Sequence, residues 1–163
     1  MKYTVQDGFL YYIELTDDAD YKALFTSPET FALLDSINEA QADFRYAPDK
    51  WNIRQILGHI TDHERIMMYR ALRFSRKDDT LLSGYDQDVL VDNSRFTELS
   101  WEKLLTDYKN VRAATNSFID GLSEAQLQLT GKAWIYELTV ELFLRATIGH
   151  ELHHIKIIKE RYL

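Results

Sequence analysis

Thr139-Val140-Glu141-Leu142-Phe143-Leu144-Arg145-Ala146-Thr147-Ile148-Gly149-His150-Glu151-Leu152-His153-His154 decides how this chain is read. Thr139 is an N-cap residue, and Leu142, Phe143, Ala146, Ile148, Leu152, Ile155, Ile158 and Tyr162 recur at helical spacing behind it. One long helix is predicted to the end of the chain, with three histidines inside five positions. His150 and His154 are four apart, so they stand roughly 40° from each other around a helix and can present both rings to one metal ion. His59 and His63 repeat that spacing about ninety residues upstream. Histidine is a mediocre helix former, so this concentration in an otherwise histidine-poor chain points to metal binding between two helices.

Working outward, the two prolines and four of the six glycines fall between periodic segments, which favours a few long helices over many short strands. Ser27-Pro28-Glu29 reads as N-cap, first helical position and first-turn acid, starting a helix with Phe31, Leu34 and Ile37 that is predicted to end near Ala42. Asn52 with Gln55 makes a capping box for a second helix, whose stripe of Ile53, Ile56, Leu57, Ile60, Met67 and Leu72 runs to about Arg76 and carries His59. Lys77 to Thr97 reads as a long polar connection, neither helix nor strand pair. Ser100 caps a third helix through Leu104, Leu105, Tyr108, Val111, Thr115, Phe118 and Ile119, stopped by Gly121, and Ser123 with Gln126 opens a short turn. The helix from Thr139 is the fourth. No convincing sheet is evident, and residues 1–26 are aromatic and acidic with no clear period, so an irregular strap that caps the bundle or covers a pocket is expected there.

The length of 163 residues fits one domain, residues 1–163, large enough to bury a core without disulfides. With 45% apolar, 13% aromatic and 28% charged residues, the chain is a globular protein rather than a disordered one. A net charge of −7 disfavours nucleic acid, which is held by clustered Lys and Arg. No run of 18 apolar residues and no basic, apolar leader occurs, so a cytoplasmic protein with no membrane partner is expected. The absence of cysteine excludes thiolate ligands and a cysteine nucleophile; thiol chemistry requires an external thiol.

His150-Glu151-x-x-His154 satisfies the H-E-x-x-H metalloprotease pattern, but no histidine follows His154 and Glu160 is the sole later acid. Glu151-x-x-His154 also satisfies half of a carboxylate-bridged di-iron motif, with no second copy. A mononuclear site fits better. His59, flanked by Ile56 and Ile60, is the third ligand of choice, and His63 is the reserve; a fourth imidazole would close the site and make it structural, whereas three leave room for water or substrate. His153 falls outside the ligand set. Asp62 and Glu64 read as solvated acids with a supporting role as the alternative. Glu151 is the candidate catalytic residue, as a base or water-orienting group, with an exposed helix acid as the competing reading. Trp51, Tyr85, Trp134, Glu137, Asp86 and Asp88 are weaker pocket candidates.

Tyr46-Ala47-Pro48-Asp49-Lys50-Trp51-Asn52-Ile53-Arg54-Gln55-Ile56-Leu57-Gly58-His59, then Glu64-Arg65, Gly84-Tyr85-Asp86-Gln87-Asp88 and His150-Glu151-Leu152-His153-His154 together resemble the DinB-like superfamily of damage-inducible, metal-dependent proteins. The resemblance spans nearly the whole chain from about Ser27. It implies an all-α four-helix bundle with a long crossover connection. Its metal triad, carried over by motif, is His59, His150 and His154, with Ni2+ or Zn2+ as the ion. The family includes transferases that use the low-molecular-weight thiols bacillithiol or mycothiol, and proteins described as hydrolases; homodimers are common among relatives. The resemblance therefore implies a metal-dependent enzyme that transfers a thiol to an electrophilic small-molecule substrate. A hydrolase using metal-bound water and a noncatalytic metal-binding stress or interaction protein are the alternatives.

Overall fold

Asn52 and Gln55 close a reciprocal box, the Asn52 side chain accepting from the Gln55 N–H at 2.9 Å and the Gln55 side chain accepting from the Asn52 N–H at 3.2 Å. That box opens the helix Ile53–Ser75. In the computed structural model, which describes residues 1–163, two more long helices begin on the expected caps. Ser100 accepts from the Lys103 N–H at the head of Trp101–Asp120, and Thr139 accepts from the Leu142 N–H at the head of Val140–Arg161. In chain order the elements are α1 (Phe9–Glu14), α2 (Tyr21–Leu24), α3 (Pro28–Ser36), α4 (Glu39–Ala42), α5 (Ile53–Ser75), α6 (Gln87–Asp92), α7 (Trp101–Asp120), α8 (Glu124–Leu127), strands β1 (Thr130–Ala133) and β2 (Tyr136–Thr139), and α9 (Val140–Arg161). The architecture is a four-helix bundle in which α5 packs against both α7 and α9, and the shorter α3 buries Leu34 in the apolar cluster they share. No helix is long and apolar enough to cross a membrane.

Four expectations need correction. The first bundle helix does not reach Ala42: Ile37 is extended, and Asn38 with Gln41 forms its own capping box for α4. The polar connection contains α6, capped by Asp86, whose carboxylate accepts from the Asp88 and Val89 N–H groups. Residues 130–139 form an antiparallel hairpin, Thr130 opposite Thr139 and Ala133 opposite Tyr136, with Trp134 in the left-handed region at φ 54°. The strands are four residues each and the turn lacks the Asn-Gly or Asp-Gly signal, which is why the pattern stays silent. The N-terminal strap is itself helical, in the short α1 and α2. Segments of six and four residues have no intrinsic helical stability in water, so α1 owes its form to packing on α9. Gly149 allows it: a Cβ there would sit 1.9 Å from the Tyr12 carbonyl oxygen. Gly58 plays the same part on α5, where the Phe96 ring occupies the space a Cβ would need.

The core is divided. One apolar cluster gathers Phe25, Met67, Phe74, Ile119, Phe143 and Ile148; the other gathers Leu34, Ile53, Leu57, Tyr108, Ile155 and Ile158. Along each long helix, buried polar residues lie between them: Thr61, His63 and Glu64 on α5, Arg112 and Thr115 on α7, His150 and Glu151 on α9. A polar belt thus crosses the middle of the bundle. Buried polar groups cost stability unless they find partners, so the way the belt is satisfied shows what it is for.

Candidate metal centre

Three imidazoles converge on one side of the belt. His150 Nε2 lies 3.0 Å from His59 Nε2 and 3.1 Å from His154 Nε2, and the nearest donor atoms of all three lie within 4.8 Å of one another. His59 and His150 are buried and His154 is half-buried. Burial holds the His59 ring down to about 4 and pushes His150 and His154 well below the ordinary imidazole range, neighbouring histidines adding to the shift in the latter two. Neutral rings keep the lone pair that a metal needs. An sp2 nitrogen has either one proton or one lone pair, so His150 Nε2 cannot satisfy two facing Nε2 atoms by hydrogen bonding alone; a cation accepts all three lone pairs at once. The donor set therefore fits a divalent ion.

His63 does not join this set. Its ring stacks on His150 with centroids 3.9 Å apart, and its Nδ1 pairs with the Tyr85 hydroxyl at 2.5 Å. With Tyr85 donating, the neutral His63 ring carries its proton on Nε2, a buried atom with no partner in the protein. His153 also stands apart, its Nδ1 3.2 Å from the Tyr11 hydroxyl. Trp51 packs against His59 with ring centroids 4.9 Å apart.

Glu151 lies neither at the metal set nor in solvent. Its Oε2 accepts from the Tyr108 hydroxyl at 3.0 Å and from Arg112, and its Oε1 accepts from Arg112 Nη1 at 3.4 Å. The same guanidinium donates to both oxygens of Glu64, at 2.8 Å from Nη2 and 3.1 Å from Nε, and to the Phe25 carbonyl at 3.1 Å. Burial raises the Glu151 carboxyl and Arg112 opposes the rise. The reading of Glu151 as a base at the metal, and as an exposed acid, both give way: it is one position around α9 from His150, which turns its carboxylate toward α7. Glu64 is buried as well, while Asp62 is half-buried and pairs with Arg65.

A cavity of about 740 Å3 reaches His63 and His150. Phe9 and Tyr12 of α1, Tyr85 and Asp86 of the crossover, and Trp134 and Tyr136 of the hairpin wall it. Burial pushes the Tyr12 and Tyr85 phenols up to about 12, so both remain O–H groups at neutral pH. Of the weaker candidates, Tyr85, Trp134 and Asp86 line this space, whereas Glu137 and Asp88 are exposed outside it. Arg70 is a wall residue the sequence reading missed. It stands seven residues beyond His63, two helical turns along the same face of α5, and that spacing was the available signal.

A four-helix bundle with an imidazole triad shared by two of its helices is the frame of a metal-binding helical protein. The sequence pattern of the DinB superfamily matches residues 25–158, and the chain belongs to that superfamily. Among solved structures, the fold matches one described as "YfiT from Bacillus subtilis is a probable metal-dependent hydrolase with an unusual four-helix bundle topology", with a TM-score of 0.72 and 16% identity, over 98% of this chain and 89% of that one. No curated protein matches.

Proposed function

We propose that the protein is a metal-dependent enzyme acting on a small molecule, with His59, His150 and His154 as the metal ligands and transfer of a low-molecular-weight thiol to an electrophile as its reaction. The observation that carries this reading is the convergence of three neutral Nε2 donors beside a cavity large enough for a drug-sized molecule. Three protein ligands leave coordination positions for an incoming group, whereas a fourth imidazole would close them; His63 is stacked and tied to Tyr85 instead. A bound Ni2+ or Zn2+ supplies Lewis acidity that lowers the pKa of a thiol or water held beside it.

The chain's own groups do the rest. Tyr12 packs on His150 with ring centroids 5.1 Å apart, and Phe9 and the exposed Trp134 give the cavity apolar walls. Arg112, Glu64 and Tyr108 fix the turn of α9 that carries His150. With Glu151 engaged in that cluster, no carboxylate stands free at the triad to serve as a base, which favours a nucleophile that ionises readily: the thiol proton passes to solvent, sulfur bonds to the electrophilic carbon, and the leaving group departs with its electron pair. Hydrolysis by metal-bound water is the second reading, supported by the description given to the Bacillus subtilis structure.

Elemental analysis of tag-free protein tests the centre. Near-stoichiometric nickel or zinc in the wild type, lost in His59→Ala and in His150→Ala, is expected; full retention of metal in His59→Ala sinks the triad. Turnover of an alkyl halide that requires added cysteine thiol supports transfer, while ester cleavage with no thiol present supports hydrolysis. A bundle that unfolds on chelation, with no turnover of either kind, returns the ion to a structural role.

A further inference from the structure

Three arginines are buried in this protein: Arg54, Arg70 and Arg112, each 5% exposed or less. Arg54 is paired with Glu39 and Asp43, and Arg112 with Glu64 and Glu151. Arg70 pairs with no carboxylate. Its Nη2 donates to the Ser83 carbonyl at 2.8 Å, its Nη1 reaches only the Met67 sulfur at 3.6 Å, and its Cζ lies 5.6 Å from the Tyr85 ring centroid. A guanidinium has five N–H donors, so most of its capacity is unspent. A buried cation left without a counter-charge is costly, and such a charge persists where a partner arrives from outside the chain.

The cavity says where that partner comes from. Arg70 lines it together with His63, whose buried Nε2 has no partner in the protein and is a donor when Tyr85 donates to Nδ1. The acid on the same wall, Asp86, is committed through Oδ1 to the first N–H groups of α6, and it makes no ion pair with Arg70. Much of the remaining wall is aromatic: Phe9 lies 4.7 Å from Tyr136, which lies 6.0 Å from Trp134, centroid to centroid. Flat apolar faces beside two unspent donors suit a planar apolar body that ends in an oxyanion.

We propose that Arg70 is the specificity-determining residue of this cavity and that it binds the carboxylate, or another oxyanion, of an aromatic or similarly flat acid acted on at the neighbouring histidines. The assignment of the anion subsite stands on Arg70 and His63; its link to catalysis rests on the metal-dependent reading above. Bidentate, charge-assisted hydrogen bonds to the guanidinium provide the selection against neutral analogues.

Calorimetric titration of the full-length, metal-loaded protein tests this with benzoate, phenylphosphonate and neutral benzamide as probes. At least one oxyanion is expected to bind about tenfold or more tighter than benzamide. Arg70→Met is expected to reduce that oxyanion to the benzamide level, and Arg70→Lys to keep part of the preference. Equal binding of acid and amide to the wild type, no binding of either oxyanion, or unchanged oxyanion affinity in Arg70→Met overturns the proposal; the comparison of probes on the wild type holds even if a variant fails to fold. His59→Ala separates the two readings. Metal lost with Arg70-dependent binding retained supports the subsite irrespective of catalysis. Metal bound as expected with no preference for the acid overturns the subsite and leaves the metal centre standing.

Discussion

The two sides of the polar belt share α5 and α9 and are treated in opposite ways. On the α7 side, Arg112, Glu64, Glu151 and Tyr108 exhaust one another's hydrogen-bonding capacity. On the cavity side, His63 Nε2 and His150 Nδ1 have no partner in the protein and Arg70 has no counter-ion. Neighbouring residues fall on different sides: His63 and Glu64, His150 and Glu151. A buried polar group that is fully met holds helices in register, and one left unmet is available to something else. The comparison teaches that depth alone does not mark a functional residue; the unfilled valence does.

The sharpest way to break this contrast is to remove Arg112. Arg112→Met strands two buried carboxylates and is expected to cost about 3–5 kcal/mol in urea unfolding. A loss below about 1 kcal/mol would mean that the cluster is already half neutral and holds little together. Next comes Gly149→Ala, which drives a Cβ into the Tyr12 backbone and should cost about 1–3 kcal/mol as α1 shifts. Gly121→Ala, where an added Cβ would meet the Phe118 carbonyl oxygen at an ordinary 3.5 Å, serves as the neutral control in the same thermal melts.

Arg70→Met sharpens the comparison from the open side. Replacing an unpaired buried cation by a shorter apolar chain is expected to leave the melting temperature unchanged or raise it, in contrast to Arg112→Met. A fall as large as that of Arg112→Met would place Arg70 among the structural arginines. The smallest effect belongs to Glu39, whose carboxyl is held below its ordinary range by Arg54 and by the Trp101 N–H. A lowered folded value means that its contribution is present above the ordinary carboxylate range and is lost as pH falls through the folded value. Acid unfolding curves of the wild type and Glu39→Gln should therefore converge at low pH and separate slightly above it.

What could be read from the chain was whatever is written locally. Asn52, Ser100 and Thr139 announce their helices because a cap is a contact over three residues, and the i,i+4 histidines announce a shared face for the same reason. The break at Ile37 was also local, in the Asn38 and Gln41 box, and was masked by the apolar stripe running through it. The fate of Glu151 could not be read, because Arg112 meets it only once α7 has packed with a definite rotation. Nor could α1: its aromatic run has no helical period, and its structure depends on a glycine about 140 residues away.

That dependence separates two kinds of information along the chain. The superfamily pattern matches residues 25–158, a stretch that holds His59, His150 and His154, while Phe9 and Tyr12 precede it and still wall the cavity beside His150. A change in the first two dozen residues can thus remodel the cavity wall without touching the three clustered histidines. The docked N-terminal segment is a separate faceplate seated on α9 at Gly149, so one bare backbone position decides whether that wall of the cavity closes.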